Sequence, residues 1–212
     1  MNVKNDSLNR LIQELARFPG LGEKSAERLA MHLFKMSEPD RNSFVQSILA
    51  IKNVRYCRQC FNFVTTNNGV QNTLCDICSD ARRDQSIVCV VETHDDFRGM
   101  EKTGSFNGVY HILLGRIAPL EDCGPDRLTI GQLLNRIRQN VNIKELILGT
   151  NPTMEGDNTS LYIRQELPKA LAPGRQLKIT RLARGIPAGS TIGYINKSTL
   201  TDSLSGRQEC DK

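Results

Sequence analysis

Apolar residues recur with a helical period at the start of the chain and give way to short continuous runs further on. Leu8, Leu11, Ile12, Leu15 and Ala16 share one helical face, and the pattern stops at Phe18-Pro19-Gly20-Leu21-Gly22. A second helix restarts at Glu23 with Ala26, Leu29, Ala30, Leu33 and Phe34 on one side. A third, from about Pro39 to Lys52, carries Phe44, Val45, Ile48 and Leu49 and is expected to complete a small bundle. Beyond residue 80 the pattern alternates. The run Ile87 to Val91 is a strand of the kind buried in a parallel sheet, and further strands are predicted at Val109 to Leu114, Glu145 to Leu148 and Leu177 to Leu182. Helices fall between them: one capped by Asp95 and running to about Met100, one capped by Thr129 and running to about Gln139, and one from Asn158 to about Leu171. Alternation of this sort predicts an α/β fold with a doubly wound, mostly parallel sheet.

Between these halves the chemistry changes. Cys57-x2-Cys60 and Cys75-x2-Cys78 are two knuckles separated by fourteen residues, the spacing of a closed tetrahedral thiolate site. Zinc is the expected ion, structural and not catalytic; iron can also occupy four thiolates. The tip from Thr65 through Asn67 and Asn68 to Gly69 has too little apolar material to fold without a metal. The first twenty residues carry Lys4, Asp6, Arg10, Glu14 and Arg17 with no apolar run, so neither a signal peptide nor a membrane span is expected, and Cys89, Cys123 and Cys210 are expected to be reduced cytoplasmic thiols.

The net charge of +5 is unevenly placed. Residues 1–54 hold eight Lys/Arg against six Asp/Glu, 55–86 four against three, 87–173 nine against eleven, and 174–212 seven against three. The basic excess at the ends suits an anionic partner. In the first hairpin, Gly20 and Gly22 permit a sharp bend and leave amides free at the start of the second helix, where Lys24 and Arg28 stand one turn apart. That is a phosphate-binding corner that would hold DNA without reading its sequence, unless the glycines serve only the turn of an αα-hairpin. The Gly-x4-Gly-Lys-Ser/Thr spacing of a nucleotide-binding loop is absent.

Ligands of parallel sheets gather at the carboxyl ends of the strands, which here present Glu92 and the loop Asn151 to Asp157. Glu92, Glu155 and Asp157 could converge on Mg2+ for phosphoryl transfer, or could cap helices and pair with arginines.

Five motifs in one order carry a resemblance: Phe18-Pro-Gly-Leu-Gly-Glu-Lys-Ser-Ala-Glu-Arg28, the four cysteines, Val90-Val-Glu92, Thr150-Asn-Pro-Thr-Met-Glu-Gly156 and Thr180-Arg-Leu-Ala-Arg-Gly-Ile-Pro187. Together they resemble the RecR family of bacterial recombination mediators. The resemblance implies a helical helix-hairpin-helix module over 1–54, a four-cysteine zinc finger over 55–79, a Toprim domain over 80–173 and a C-terminal strand and subunit-contact segment over 174–212. Catalytic Toprim proteins carry an Asp-x-Asp-x-Glu-Gly string; here Asn151 and Thr153 occupy the two Asp positions, while Glu155 and Gly156 are kept. The site therefore looks disarmed and Mg2+ is not expected. The family reading is a non-enzymatic DNA-binding protein, phosphates held by Gly20, Gly22, Lys24 and Arg28, and the acids Glu92, Glu155 and Asp157 forming a docking edge for RecO. It implies dimers and ring-like tetramers on single-stranded, double-stranded or gapped DNA, acting with RecO and RecF to load RecA in place of single-strand binding protein, in the cytoplasm at the nucleoid. The rival readings are a Mg2+-dependent nuclease or primase-like enzyme and a scaffold that meets only proteins. Phe61 stands where the family leads us to expect glycine, and the tip between the knuckles is longer than expected. His111 reads as a core or sheet-edge residue; Arg181 and Arg184 could bind phosphate or pair with acids; Tyr194 could anchor an interface or pack internally.

Overall fold

The computed structural model describes residues 6–66 and 73–207, which leaves Asn67, Asn68 and Gly69 of the tip and Cys210 outside the described residues. The chain divides into two compact units, Met1–Val54 and Arg55–Lys212.

In the first unit, α1 (Asp6–Ala16) packs against α2 (Glu23–Lys35), and the small side chains of Ala26 and Ala30 are fully buried. Gly20 takes a φ of 81°, a left-handed conformation that favours a residue without Cβ, and so turns the chain between them. α3 (Glu38–Ala50) begins at Ser37, whose Oγ accepts the Asp40 N–H at 3.3 Å, and is followed by a short 3-10 turn, Ile51–Asn53. The expected bundle is not closed. α3 buries no side chain: Phe44, Val45, Ile48 and Leu49 are all exposed.

A two-stranded sheet, β1 (Val54–Tyr56) and β2 (Phe63–Thr65), begins at the boundary residue Val54 and is followed by the one-turn helix α4 (Asp76–Ser79). Then come β3 (Asp84–Val91), α5 (His94–Lys102), β4 (Gly108–Ile112), α6 (Ile130–Gln139), β5 (Glu145–Leu148), α7 (Met154–Ala170), β6 (Lys178–Arg181) and α8 (Lys197–Ser205). The larger sheet has the order β4-β3-β5-β6, every pair parallel, with Val90 opposite His111 on one side and Leu148 on the other.

Alternate residues of the strands face opposite layers. Val88, Val90, Leu146 and Leu148 pack with Leu133 and Ile137 of α6 and Ile163 and Leu167 of α7. Cys89, Val91, Tyr110 and Ile112 pack with Phe97 of α5 on the other face. This two-sided burial is why β3 and β4 read as continuous apolar runs. Burial also pushes the Cys89 thiol up to about 12, which keeps it unreactive in the core.

Two predicted helix starts move, and one expected cap does not form. Thr93, not Asp95, caps α5: its Oγ1 accepts the Asp96 N–H while Asp96 accepts the Thr93 N–H at 2.9 Å. Asp95 instead pairs with Arg98 on the surface. α7 starts at Met154 rather than Asn158, because Thr153 accepts the Gly156 N–H at 3.1 Å. Thr129 occupies the position before α6, yet its hydroxyl turns inward and donates to the Ile112 carbonyl at 2.7 Å. Tyr194 is 92% exposed, so it does not pack internally. Among the described residues no helix is long and apolar enough to cross a membrane.

Candidate functional site

The four cysteines meet. Cys57, Cys60, Cys75 and Cys78 are buried, and their sulfurs all lie within 4.8 Å of one another. The knuckles also bend toward the sulfurs: Asn62 N–H donates to Cys60 Sγ and Cys75 N–H to Cys57 Sγ, each at 3.4 Å. Hydrogen bonds from Cys60, Cys75 and Cys78 pull the Cys57 thiol well below the ordinary range, whereas Cys78 is held above it by its three sulfur neighbours. Thiols crowded like this share negative charge poorly, and a cation bound by all four relieves the conflict while deprotonating them. Among the described residues this is the one group of three or more Cys, His or acidic side chains close enough to hold a common metal ion. The donor set fits a soft divalent ion in a closed shell. Phe61, after Cys60, adopts a φ of 64°, the conformation that explains why glycine is expected there.

Hydrogen bonds tie the knuckles to the large sheet and to α6. Ile112 N–H donates to the Cys60 carbonyl at 2.9 Å. Arg136 of α6 donates through Nη1 to the Gln59 carbonyl at 3.2 Å and the Tyr110 carbonyl at 2.7 Å. Its Nε is buried without a hydrogen-bond partner, and among the described residues no carboxylate pairs with it. Burial lowers its pKa, and the opposing attraction comes from the four cysteines. Arg136 is thus the buried countercharge to the thiolate cluster.

At the carboxyl ends of the strands, Glu92 is only 2% exposed. Its Oε1 accepts the Asn151 backbone N–H at 2.8 Å and its Oε2 the Asn151 side-chain amide at 2.9 Å. The same amide reaches Asp96 Oδ1 at 3.3 Å. Gly156 closes the arrangement, since a Cβ there would lie 2.7 Å from Glu92 Oε1 and closer still to the Asn151 carbonyl. Thr153 serves as a helix cap. Both residues that replace the acids of the catalytic string therefore have structural employment, and Glu92, Glu155 and Asp157 do not converge on a common ion.

Glu92 is too buried to belong to an exposed docking edge. Glu155 is half-buried, and among the described residues nothing pairs with its carboxylate. Asp157 is bridged by Arg181 and by Arg184, which also reaches Asp202 at 3.6 Å. Burial opposes ionisation of Asp157, but the two guanidinium groups prevail and hold its carboxyl below the usual range. The two arginines are accordingly paired with acids.

In the first unit, Gly22 is the residue before α2 and no side chain caps that end; of its first amides, that of Ser25 donates to the Gly22 carbonyl at 3.0 Å. Lys24 and Arg28 are exposed on α2, and among the described residues neither pairs with an acid. The corner expected from the sequence is thus geometrically open.

Comparison with known proteins bears on the first helices and on the large sheet. The family model "RecR, helix-hairpin-helix" matches residues 8–52, "Toprim domain" residues 86–183 and "RecR, C-terminal" residues 185–208. "Recombination protein RecR" of Rhodopirellula baltica is 44% identical over 95% of this chain and 96% of its own length. Proteins of the same name from Chloroherpeton thalassium and Myxococcus xanthus are 41% and 40% identical over 99% and 96% of this chain. The chain belongs to the RecR family. It is accordingly a recombination and DNA-repair protein by kinship, with a helix-hairpin-helix, a metal-capable cysteine cluster and a Toprim domain.

Sequence reasoning passed over Asp96, Thr93 and Arg136 of this RecR-family chain. The Thr93-x-x-Asp96 spacing is a capping-box signal that was legible. Arg136 had no such signal; only the packing of α6 beside the knuckles gives it a role.

Proposed function

We propose that this RecR-family chain is a non-enzymatic DNA-binding recombination mediator, its cysteines holding zinc. The observation that carries the non-catalytic reading is the pairing of Glu92 with Asn151: both carboxylate oxygens accept from a neutral residue, so Glu92 faces an amide at the place where a second carboxylate would be needed to hold a divalent ion with it. The DNA reading is supported by the open amide corner with Lys24 and Arg28. One hairpin supplies few phosphate contacts, so several chains closed in a dimer-based ring would raise avidity without new contacts. In this reading the chain works with RecO and RecF to load RecA on strands held by single-strand binding protein, at the nucleoid in the cytoplasm. The more accessible carboxylates Glu155 and Asp157 are the docking acids for RecO.

The test is a salt series of labelled gapped DNA with and without Mg2+, the same tubes run on native and denaturing gels. A salt-sensitive shift with intact strands is expected, weakened in Lys24→Glu beyond the change in net charge. Mg2+-dependent strand cleavage that disappears in Glu92→Gln would overturn the reading in favour of a Toprim enzyme.

A further inference from the structure

An aromatic stack lies on the outer side of the knuckles. Phe63 of β2 lies face to face on the His94 imidazole, centroids 3.8 Å apart and planes within 10°. Tyr56 of β1 stands beside both, 5.6 Å from Phe63 and 6.1 Å from His94, with planes within 24° and 19°. Three rings thus present nearly one plane orientation, and Tyr56 and Phe63 are 52% and 53% exposed. The cysteine cluster packs with Val64, Leu74 and Ile77 and not with these rings. Half-buried Phe61 instead stands edge-on to the buried His111 at 5.3 Å.

The stack is held rigid. His94 is the first residue of α5, behind the capping box of Thr93 and Asp96, and its Nε2–H donates to the Phe61 carbonyl at 3.0 Å. Tyr56 and Phe63 sit on paired strands. The chain around these two rings is basic: residues 55–75 contain Arg55 and Arg58 and not one acid. The exposed side chains next to the rings in sequence include Arg58 and Thr65 beside Tyr56 and Phe63, and Asp95 beside His94, whose charge is met by Arg98.

The geometry points to a stacking platform for the unpaired bases of single-stranded DNA, built from Tyr56, Phe63 and His94. Flat, parallel, preorganised rings accept any base by its face, and neighbouring cations follow the phosphates. A duplex hides those faces within its own stack, so the platform selects single strands where the helix-hairpin-helix corner does not. The inference rests on the DNA-binding reading above and adds the form of DNA that the knuckles take.

Fluorescence anisotropy on the full, metal-loaded chain would use three labelled probes: an oligothymidylate, an equally long oligomer of abasic sites, and a duplex. The wild type is expected to bind the oligothymidylate more tightly than the abasic oligomer. Tyr56→Ala and Phe63→Ala are expected to weaken the oligothymidylate alone by roughly ten-fold, with Tyr56→Phe close to wild type. Lys24→Glu weakens all three alike if the corner binds phosphate. Equal binding of oligothymidylate and abasic oligomer by the wild type, or ring variants that leave all probes unchanged, overturns the platform while the mediator reading stands; the second result would leave the rings to a protein. A wild type that binds none of the probes overturns both. Photocrosslinking of the wild type to a 5-iodouracil-substituted oligothymidylate covers variants that fail to fold. Adducts at Tyr56 or Phe63 are expected, and adducts confined to other residues reject the platform.

Discussion

Asn151 donates to both carboxylate oxygens of Glu92, through its backbone at 2.8 Å and its side-chain amide at 2.9 Å. Only the second bond depends on the residue type: a side-chain amide donates to Glu92 where a carboxylate would repel it, and so stabilises the buried acid.

Asn151→Asp tests this. It replaces a donor by a carboxylate facing Glu92 and Asp96, at an expected loss of about 2–4 kcal/mol of stability near pH 7. Thermal melts of parent and variant at pH 7.5 provide the check, and equal melting temperatures refute the account.

Arg136→Met should loosen the metal module. The variant loses the bonds to the Gln59 and Tyr110 carbonyls and the countercharge to the thiolates. Metal affinity, followed by competition with a chromogenic chelator, is expected to weaken about 10- to 100-fold. An unchanged affinity would mean that Arg136 is only a packing residue.

His111 should remain neutral well into acid. Burial, reinforced by the Arg136 charge, lowers its pKa from 6.5 to about 3, and its Nδ1 has no partner. Because the folded value lies below the unfolded one, the stability it gives is complete above pH 6.5 and is lost as pH falls toward 3. Its 13Cε1 resonance should not shift between pH 7.5 and 5, whereas a titration midpoint within that interval would contradict the burial argument.

Asp157→Asn should cut the tie between α7 and the chain leaving β6. The groups are partly exposed, so the cost is about 1 kcal/mol or less. Since the Asp157 pKa is lowered from 3.8, its contribution is present above that pH and disappears as pH falls below it. Urea midpoints of parent and variant should differ at pH 7 and converge near pH 3; an equal difference at both would show that the ion pairs contribute nothing.

The chain's local signals determined a good deal unaided. Two Cys-x2-Cys turns specify metal ligands because each knuckle is a short-range structure, and β3 announced itself as buried because both its faces are covered. That Asn151 and Thr153 stand where catalytic Toprim strings carry acids came from the family resemblance and not from residue type alone. Tertiary structure decided what depends on distant partners. Whether the apolar side of α3 is covered is not a property of its period, and it is exposed. Glu92 became a buried acceptor instead of a surface acid because Asn151, far along the chain, delivers two donors to it. Phe63 and His94 belong to different segments and stack only because the capped start of α5 lies against the knuckles. Hydrogen bonds and ring contacts between remote segments leave no periodic trace in sequence, since each partner alone is compatible with many surroundings.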